Sequence, residues 1–294
     1  MSTAPAEPVS VEPPTTRALG AGAALLAQTV GVVSLLNGLL LVAVNATGTL
    51  FGAWDSPEPL GQAMVGAAML GTTPGLFALA RCHRWEEART MMWPTVVALT
   101  GLSAVTFLNR DALVMVRGGG IVSFLYSPGW VAVVTGLALW ALAAALPHPR
   151  RPRVLPDVAR LPLPAWSKPA LAVLGSSWFG IGTGLLFLPG YWGGFVPWQV
   201  NRADAQALGV WALALGVGVL GTLAEDDLRR SRAAILSVPG VALVAAVVLA
   251  ARAEAVRWSS GPALALVAML LGLLVAGASG LRLTRDRRPA PVTG

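Results

Sequence analysis

The residues best suited to chemistry lie in four short polar segments between long apolar runs. Two of these segments combine an aromatic anchor, a turn and an acid just before the next apolar run begins. Their candidate binding residues are Trp54, Asp55, Glu58, Trp198, Arg202 and Asp204. Interfacial tryptophans and acids at helix N-termini produce the same pattern in membrane proteins without any ligand. The alternative is a binding surface that both segments build together, and we expect any site on this side of the molecule to lie here.

The other two polar segments carry adjacent acids, at Glu86-Glu87 and at Glu225-Asp226-Asp227. Such acids loosely resemble the carboxylates that hold metal diphosphates in membrane prenyltransferases. Those carboxylates stand one helical turn apart on one face, whereas here arginines follow at once. The sequence therefore predicts solvated, salt-bridged loops in which the acids are neutralised locally.

Cysteine and histidine are too sparse for ordinary redox or metal chemistry. Cys82 is the single cysteine, and the two histidines are His83 and His148. One thiol cannot form an intramolecular disulfide, and two separated imidazoles do not make an ordinary zinc or haem site. We expect no cofactor and no metal, and the sequence disfavours an enzymatic function while leaving it open.

The apolar runs themselves carry only mild polar groups. The candidates for a ligand pathway through the membrane are Asn37, Thr72, Thr73 and Ser176. Hydrogen bonding between helices is the ordinary role of such groups in lipid, and a pathway for a neutral substrate is the alternative. No carboxylate lies inside a predicted span, which disfavours a proton-driven or ion-driven pump of the usual kind.

Composition indicates how these residues are positioned. Hydrophobic residues make up 55% of the 294 residues, charged residues make up 12%, and the mean hydropathy is +0.67. A helix needs roughly 20 apolar residues to cross the hydrocarbon core of a bilayer. The predicted spans are 19–45, 60–80, 92–109, 121–146, 168–189, 205–224, 233–251 and 261–281. The predicted fold class is an all-α integral membrane protein with about eight transmembrane helices.

The charge pattern supplies an orientation and a set of partners. With the N-terminus inside, the inner segments carry most of the 21 basic residues, as the positive-inside rule requires. Lys168 is the single lysine in an alanine-rich chain, which is typical of a high-GC bacterial genome. We therefore expect a multi-pass protein of the bacterial inner membrane with both termini cytoplasmic. The lipid bilayer is the expected partner, with another membrane protein or a small amphipathic ligand as alternatives, and the scattered basic residues predict no nucleic acid.

An internal repeat appears when the chain is compared with itself at an offset of 144 residues. The offset pairs Phe51 with Phe195, Trp54 with Trp198, and Gln62 with Gln206. Because four spans are an even number, the two units keep the same orientation and form parallel repeats. The predicted organisation is a disordered tail 1–16, a first four-helix repeat 17–146, a linker 147–167, a second four-helix repeat 168–283 and a basic tail 284–294.

Small residues spaced by four, such as Gly272, Ala276 and Gly280, predict close packing between helices. The Phe51-x-x-Trp54 pattern, together with Pro197-Trp198 in the second unit, resembles a group of polytopic membrane proteins from high-GC actinobacteria. The resemblance covers both units and implies the fold alone, because that group has no established activity.

Two classes of function remain after these steps. The first is a transporter or transport accessory for a neutral or amphipathic small molecule, which the parallel repeats and the polar but uncharged helices favour. The alternative is a non-enzymatic scaffold or subunit of a membrane complex, which the small-residue faces and the absence of a chemical constellation favour. A ligand-sized cavity would separate the two.

Overall fold

The structure is a computed structural model that describes residues 18–118, 120–146 and 160–286. The predicted tail 1–16 and most of the predicted linker and basic tail lie outside the described residues. Eight long helices account for most of the described chain. They are α1 (Ala21–Ala46), α2 (Pro59–Ala80), α3 (Trp85–Leu108), α4 (Ile121–Ala145), α5 (Ser167–Phe187), α6 (Arg202–Glu225), α7 (Arg232–Ala251) and α8 (Gly261–Asp286).

All eight helices are long and apolar enough to cross a membrane. They contain 20 to 26 residues, and the mean hydropathy of the most apolar window of each lies between 1.5 and 2.5. Residues in the described part of the chain form no named strand, and only isolated bridges occur between loops. The prediction of an all-helical, multi-pass membrane protein with eight spans is confirmed.

The helix ends agree with the predicted spans to within three residues except at the end of α8, which extends to Asp286 instead of 281, and at the start of α3. This helix begins at Trp85, whereas the predicted span began at 92. Glu86 and Glu87 occupy its first turn, where negative charge stabilises the positive end of the helix dipole. Pro94 then lies inside the helix instead of near its start. Because the first turns of α3 are polar, a prediction based on the length of apolar runs missed them.

Connections between the helices alternate between two faces of the bundle. The terminal face holds residues 81–84, 160–166 and 226–231, and the distal face holds 47–58, 109–118, 188–201 and 252–260. Main-chain hydrogen bonds of 2.8 Å join neighbouring segments on each face. They run from Leu19 N to His83 O and from Leu228 N to Leu161 O on the terminal face, and from Asp55 N to Ala112 O and from Arg257 N to Pro197 O on the distal face.

Consecutive helices pack most closely where glycine permits it. A Cβ atom at Gly38 of α1 would lie 2.6 Å from the main-chain nitrogen of Leu70 in α2. A Cβ atom at Gly182 of α5 would lie 2.3 Å from that of Leu213 in α6. Both distances are far below van der Waals contact, so only glycine allows these backbones to approach.

Helices of the first four and of the last four interlock at the centre of the bundle. α2 packs against α7, and α3 packs against α6. Gly71 of α2 abuts the backbone of Gly240 and Val241 in α7, and Gly101 of α3 abuts the side chain of Val210 in α6. α4 and α8 lie at opposite edges, against α3 and α7, and most of their residues face the surroundings.

Candidate functional site

Asp204 joins the two distal segments that the sequence singles out. It lies in the first turn of α6 and is fully buried. Trp54 Nε1 donates a hydrogen bond to its Oδ1 atom at 2.9 Å, and Ser56 Oγ donates to the same atom at 2.8 Å. Its main-chain N–H donates to Asn201 Oδ1, which caps the helix. The Oδ2 atom has no hydrogen-bond partner among the described residues.

Amides extend this cluster into a polar layer beneath the distal face. Gln62 Nε2 donates to Ser56 Oγ at 3.0 Å. Asn109 Nδ2 donates to Gln206 Oε1 at 2.7 Å, and Gln206 Nε2 donates to the carbonyl oxygen of Leu186 at 2.9 Å. The layer therefore ties the distal ends of α2, α3, α5 and α6 together.

The remaining distal candidates lie outside this cluster. The carboxylate of Asp55 is exposed and lies 3.4 Å from Arg117 Nη1. Glu58 pairs with Arg252 at 3.2 Å, which links the start of α2 to the segment after α7. Arg202 is exposed at the start of α6. Of the distal candidates, Trp54 and Asp204 are joined by a hydrogen bond between their side chains.

The intramembrane candidates make ordinary helix contacts. Asn37 Oδ1 accepts a hydrogen bond from the Tyr126 hydroxyl at 3.1 Å. Thr72 and Thr73 donate to carbonyl oxygens of the preceding turn of α2. Ser176 is exposed on α5. The structure therefore does not bring these four residues together around one space.

A small cavity of about 70 Å³ lies where the first four helices meet the last four. The polar groups of its lining belong to Ser34, Thr72, Thr95, Ser237 and Trp211. One water molecule takes about 30 Å³ in the liquid, so this space is too small for an organic ligand.

A larger cavity of about 450 Å³ lies in the distal half of the last four helices, between α5, α6 and α8. Four tryptophans line it, and we call it the tryptophan cavity: Trp178 of α5, Trp192 and Trp198 of the distal segment, and Trp211 of α6. The rest of its lining is apolar or aromatic, and Met64 and Ala68 of α2 close one side. Its volume falls within the usual range of small-molecule sites, roughly 300–1,000 Å³.

Three of these tryptophans have indole N–H groups without an acceptor. The Nε1 atoms of Trp178, Trp198 and Trp211 are buried and have no hydrogen-bond partner among the described residues. The three side chains are only 8%, 4% and 9% exposed. An unpaired buried donor costs about 1–3 kcal/mol, and hydrocarbon offers no water to relieve that cost. The nitrogen atoms are not accessible from the cavity either. An acceptor in the cavity therefore reaches them only after the indole ring rotates toward the cavity.

The tryptophan cavity is uncharged, and three unpaired indole donors are buried in its wall. Its lining contains no carboxylate, cation, hydroxyl or thiol from the described part of the chain. Such a site suits a neutral molecule with a carbonyl, ether or hydroxyl oxygen. It supplies neither a nucleophile nor an acid or base for a reaction.

Sequence reasoning selected Trp198 but missed Trp178, Trp192 and Trp211. A usable signal existed for two of them. Trp178 and Trp211 lie well inside α5 and α6, whereas most tryptophans of membrane proteins lie near the interfaces. Tryptophans at this depth place polar N–H groups where lipid cannot accept a hydrogen bond.

The terminal face holds a second buried charged cluster. The side chain of Glu225 is 3% exposed and pairs with Arg89 of α3 and with Arg230, the latter at 3.1 Å. Asp227 lies 3.4 Å from the same Arg230. Glu225 and Asp227 are thus paired with arginine, as predicted, but their side chains are buried and not solvated, and the contact with Arg89 joins α3 to α6 across the bundle. Within the described ranges, no group of three or more His, Cys, Asp and Glu residues could hold a metal ion.

Cys82 lies half-buried in the terminal-face connection between α2 and α3. Burial, and secondarily the charge of Glu87, raises the pKa of its thiol to about 11. The thiol is therefore protonated and poorly nucleophilic at neutral pH.

Comparisons of the chain with protein-family models, with curated proteins and with solved structures find no match. The resemblance to actinobacterial membrane proteins stays a prediction.

Proposed function

We propose that the protein binds a neutral, membrane-soluble small molecule in the tryptophan cavity and acts as a transporter or transport accessory for it. One observation carries the proposal. The indole rings of Trp178, Trp198 and Trp211 line one ligand-sized cavity, and the buried N–H groups of all three lack an acceptor among the described residues.

These donors would distinguish a ligand from a lipid chain. Lipid tails are as apolar as the walls of the cavity, so apolar contact alone gives no preference for a ligand already dissolved in the membrane. Each new hydrogen bond contributes about 0.5–1.5 kcal/mol and also removes the cost of an unpaired donor. A charged ligand is disfavoured because the cavity lining offers no counter-charge.

The direct test uses two probes that differ by one carbonyl group. The protein in lipid nanodiscs is titrated with 2-undecanone and with n-undecane, and the tryptophan emission and the thermal unfolding midpoint are followed. We expect the ketone to bind about two- to tenfold more tightly than the alkane for each hydrogen bond formed. The triple variant Trp178→Phe, Trp198→Phe, Trp211→Phe should lose this preference.

Trp258→Phe is the matched control, because Trp258 is half-exposed and its N–H group already donates to the carbonyl of Ala253 at 2.8 Å. The control variant should keep the preference for the ketone. Equal responses of the wild-type protein to the two probes, or a preference that survives the triple substitution, would overturn the proposed function.

The same proposal includes an orientation, with the terminal face in the cytoplasm of a bacterial cell. The basic residues described on or next to the terminal face are Arg81, Arg84, Arg89, Arg160, Lys168, Arg229, Arg230, Arg232, Arg282 and Arg285. Those of the distal face are Arg110, Arg117, Arg202, Arg252 and Arg257. This excess on one face supports an inner-membrane protein with both termini cytoplasmic.

Cysteine labelling tests the orientation. In a Cys82→Ala background, a membrane-impermeant maleimide added to intact cells should label Arg110→Cys and should spare Arg282→Cys. Both original side chains are exposed, so access to the reagent depends on the membrane. Labelling of Arg282→Cys alone would show that the terminal face lies outside the cell and would overturn the proposed orientation.

We also propose that residues 17–146 and 168–283 are parallel repeats. Two features support this. The pairing of α2 with α7 mirrors that of α6 with α3. The glycine contact of Gly38 with Gly66 has a counterpart in that of Gly182 with Gly209. A role as a scaffold or complex subunit stays a prediction, since the exposed apolar faces of α4 and α8 are what lipid contact alone requires.

A further inference from the structure

A second cavity continues the tryptophan cavity toward the terminal face. This groove has a volume of about 660 Å³ and runs between α5 and α8. Met269 lines both spaces, and the neighbours Ser177 and Trp178 on α5 line the groove and the tryptophan cavity respectively. The two spaces therefore lie end to end along α5 and α8 with Met269 at their boundary, and we call them together the cleft.

The cleft is nearly as long as the membrane is thick. Its lining on α5 extends from Ser167 to Leu185, and its lining on α8 extends from Gly261 to Leu283. At 1.5 Å per residue these stretches span about 27 Å and about 33 Å. The hydrocarbon core of a bilayer is about 30 Å thick, so the cleft matches the length of extended chains in one to two leaflets.

Small residues open the groove on the side of α8. Gly272, Ala276 and Gly280, which predict close helix packing by their spacing, all line it. A Cβ atom at Gly272 would lie 3.1 Å from Leu174 Cδ1, which is a side-chain contact with α5 and not a backbone contact. A Cβ atom at Gly280 would lie 3.0 Å from Ile235 Cγ2 of α7, so side chains already pack against both glycines and larger residues at these positions would narrow the groove.

Both parts of the cleft are mostly apolar, and they differ in the polar groups that lie beside them. The unpaired indole donors all lie at the tryptophan cavity. In the groove, the hydroxyl groups of Ser167 and Thr222 donate to main-chain carbonyls, and Ser177 and Ser279 add two further hydroxyl groups to the lining. Unpaired donors are therefore buried beside one end of the cleft, while the groove at the other end is mostly apolar.

We infer that the cleft holds a long-chain lipid with an uncharged, oxygen-bearing head. The head lies at Trp178, Trp198 and Trp211, and the hydrocarbon chain follows the stripe of Gly272, Ala276 and Gly280 toward the terminal face. This inference rests on the proposed function, because the same indoles bind the head. It adds the ligand class and its entry route: the chain slides in sideways from the bilayer between α5 and α8.

The test compares a short and a long ketone in nanodiscs. 2-Undecanone reaches the tryptophan cavity alone, whereas 2-tricosanone also needs the groove. Ala276→Leu places a larger side chain in the groove and should weaken binding of 2-tricosanone about tenfold, by overpacking, while 2-undecanone stays within about twofold of wild type. Ala278→Leu, on α8 outside the groove, is the matched control and should leave both affinities near wild type.

The outcomes separate the two proposals. If neither ketone binds the wild-type protein better than its matched alkane, the proposed function fails and this inference fails with it. If both ketones bind but Ala276→Leu weakens neither, or weakens both equally, the long-chain inference is overturned and the tryptophan site stands.

A second measurement avoids substitution inside the groove. Trp166 lines the terminal end of the groove and is 69% exposed, so Trp166→Phe leaves the packed interior unchanged. 2-Tricosanone that carries bromine on its last carbon should quench part of the wild-type emission that the Trp166→Phe variant lacks. Equal quenching in the two proteins would show that the chain does not follow the groove and would overturn the inference.

Discussion

The distal ends of the first four and the last four helices differ in how they use the same aromatic pattern. In the first four, the rings of Phe51 and Tyr126 lie 4.8 Å apart, and those of Trp54 and Trp130 lie 5.9 Å apart. In the last four, Phe195 is 50% exposed, and Trp198 lines a cavity. The aromatic pattern therefore forms part of a packed core in the first four helices and part of a cavity wall in the last four.

Hydrogen bonding follows the same division. Trp54 donates to Asp204, and Trp130 donates to Thr106 Oγ1 at 3.2 Å. The N–H group of Trp198 has no acceptor among the described residues. The indole donors of the first region have acceptors within the protein. The donor of Trp198 requires an acceptor from a ligand.

The edge helices cause this difference. α4 sends Tyr126 and Trp130 into the space beside the first distal segment, and their aromatic rings fill it. The corresponding edge helix, α8, presents Gly261, Ala265 and Leu266 to the tryptophan cavity. Smaller side chains on one edge helix thus turn a core into a cavity.

The largest expected effect comes from removing an aromatic ring on each side. Trp130→Ala should lower the free energy of unfolding by about 3–5 kcal/mol, because it empties a packed core. Trp178→Ala should cost less, because part of that ring faces a cavity and makes no packing contact there. Titration with SDS in mixed micelles measures both changes. An equal or larger loss for Trp178→Ala would contradict the contrast.

The next-largest expected change in stability comes from removing one indole N–H group, at Trp54 or at Trp198. Trp54→Phe deletes a donor to the buried carboxylate of Asp204 and should cost about 1.5–3 kcal/mol. Trp198→Phe deletes a donor that has no partner among the described residues and should be neutral or stabilising. The same titration applies, and a cost for Trp198→Phe similar to that for Trp54→Phe would indicate an acceptor already present.

Adding volume should produce opposite results at the two edge helices. Ala138 is buried on α4, and Ala138→Leu should destabilise the protein by about 1–3 kcal/mol through overpacking. Ala265 lines the tryptophan cavity on α8, so Ala265→Leu should be tolerated and should abolish the preference for 2-undecanone over n-undecane. Thermal unfolding and the probe titration measure these outcomes. Retained ketone binding by Ala265→Leu would place the ligand elsewhere.

Acid should loosen the terminal side of the last four helices first, with the smallest effect. Lys168 Nζ donates to Asp226 at 2.6 Å and holds the pKa of that carboxyl below its ordinary value. Because the folded-state pKa is lowered, this stabilisation is present at neutral pH and is lost as the pH falls through the lowered pKa. The first four helices are joined there by the main-chain bond from Leu19 to His83, which does not titrate.

Lys168→Met should therefore reduce stability slightly at pH 7, and its difference from wild type should shrink in strong acid. Unfolding titrations at both pH values check this, and Arg282→Met, on the same face, is the control. A difference that stays constant with pH would show that Asp226 is not the partner that matters.

Composition and apolar length were enough to predict the eight helices, because the cost of an unpaired backbone in lipid leaves few other structures. The start of α3 was missed because Trp85 to Arg89 is polar and gains its helical state from the dipole and from the contact with Glu225. The contact of Trp54 with Asp204 joins residues 150 positions apart, and no local pattern fixes it. The tryptophan cavity depends on which faces of α5, α6 and α8 turn toward each other, and the sequence period alone does not settle those rotations.

The interlocking of α2 with α7 and of α3 with α6 has a consequence for biogenesis. During synthesis, the first four helices enter the membrane while the partners of two of them are still untranslated. Gly71 and Gly101 then face lipid until α6 and α7 arrive, so the early half must wait in a loosely packed state. Each half of the chain therefore completes its packing only against the other half. Two fragments divided in the connection between α4 and α5 and produced together should reassemble, whereas either fragment alone should be degraded.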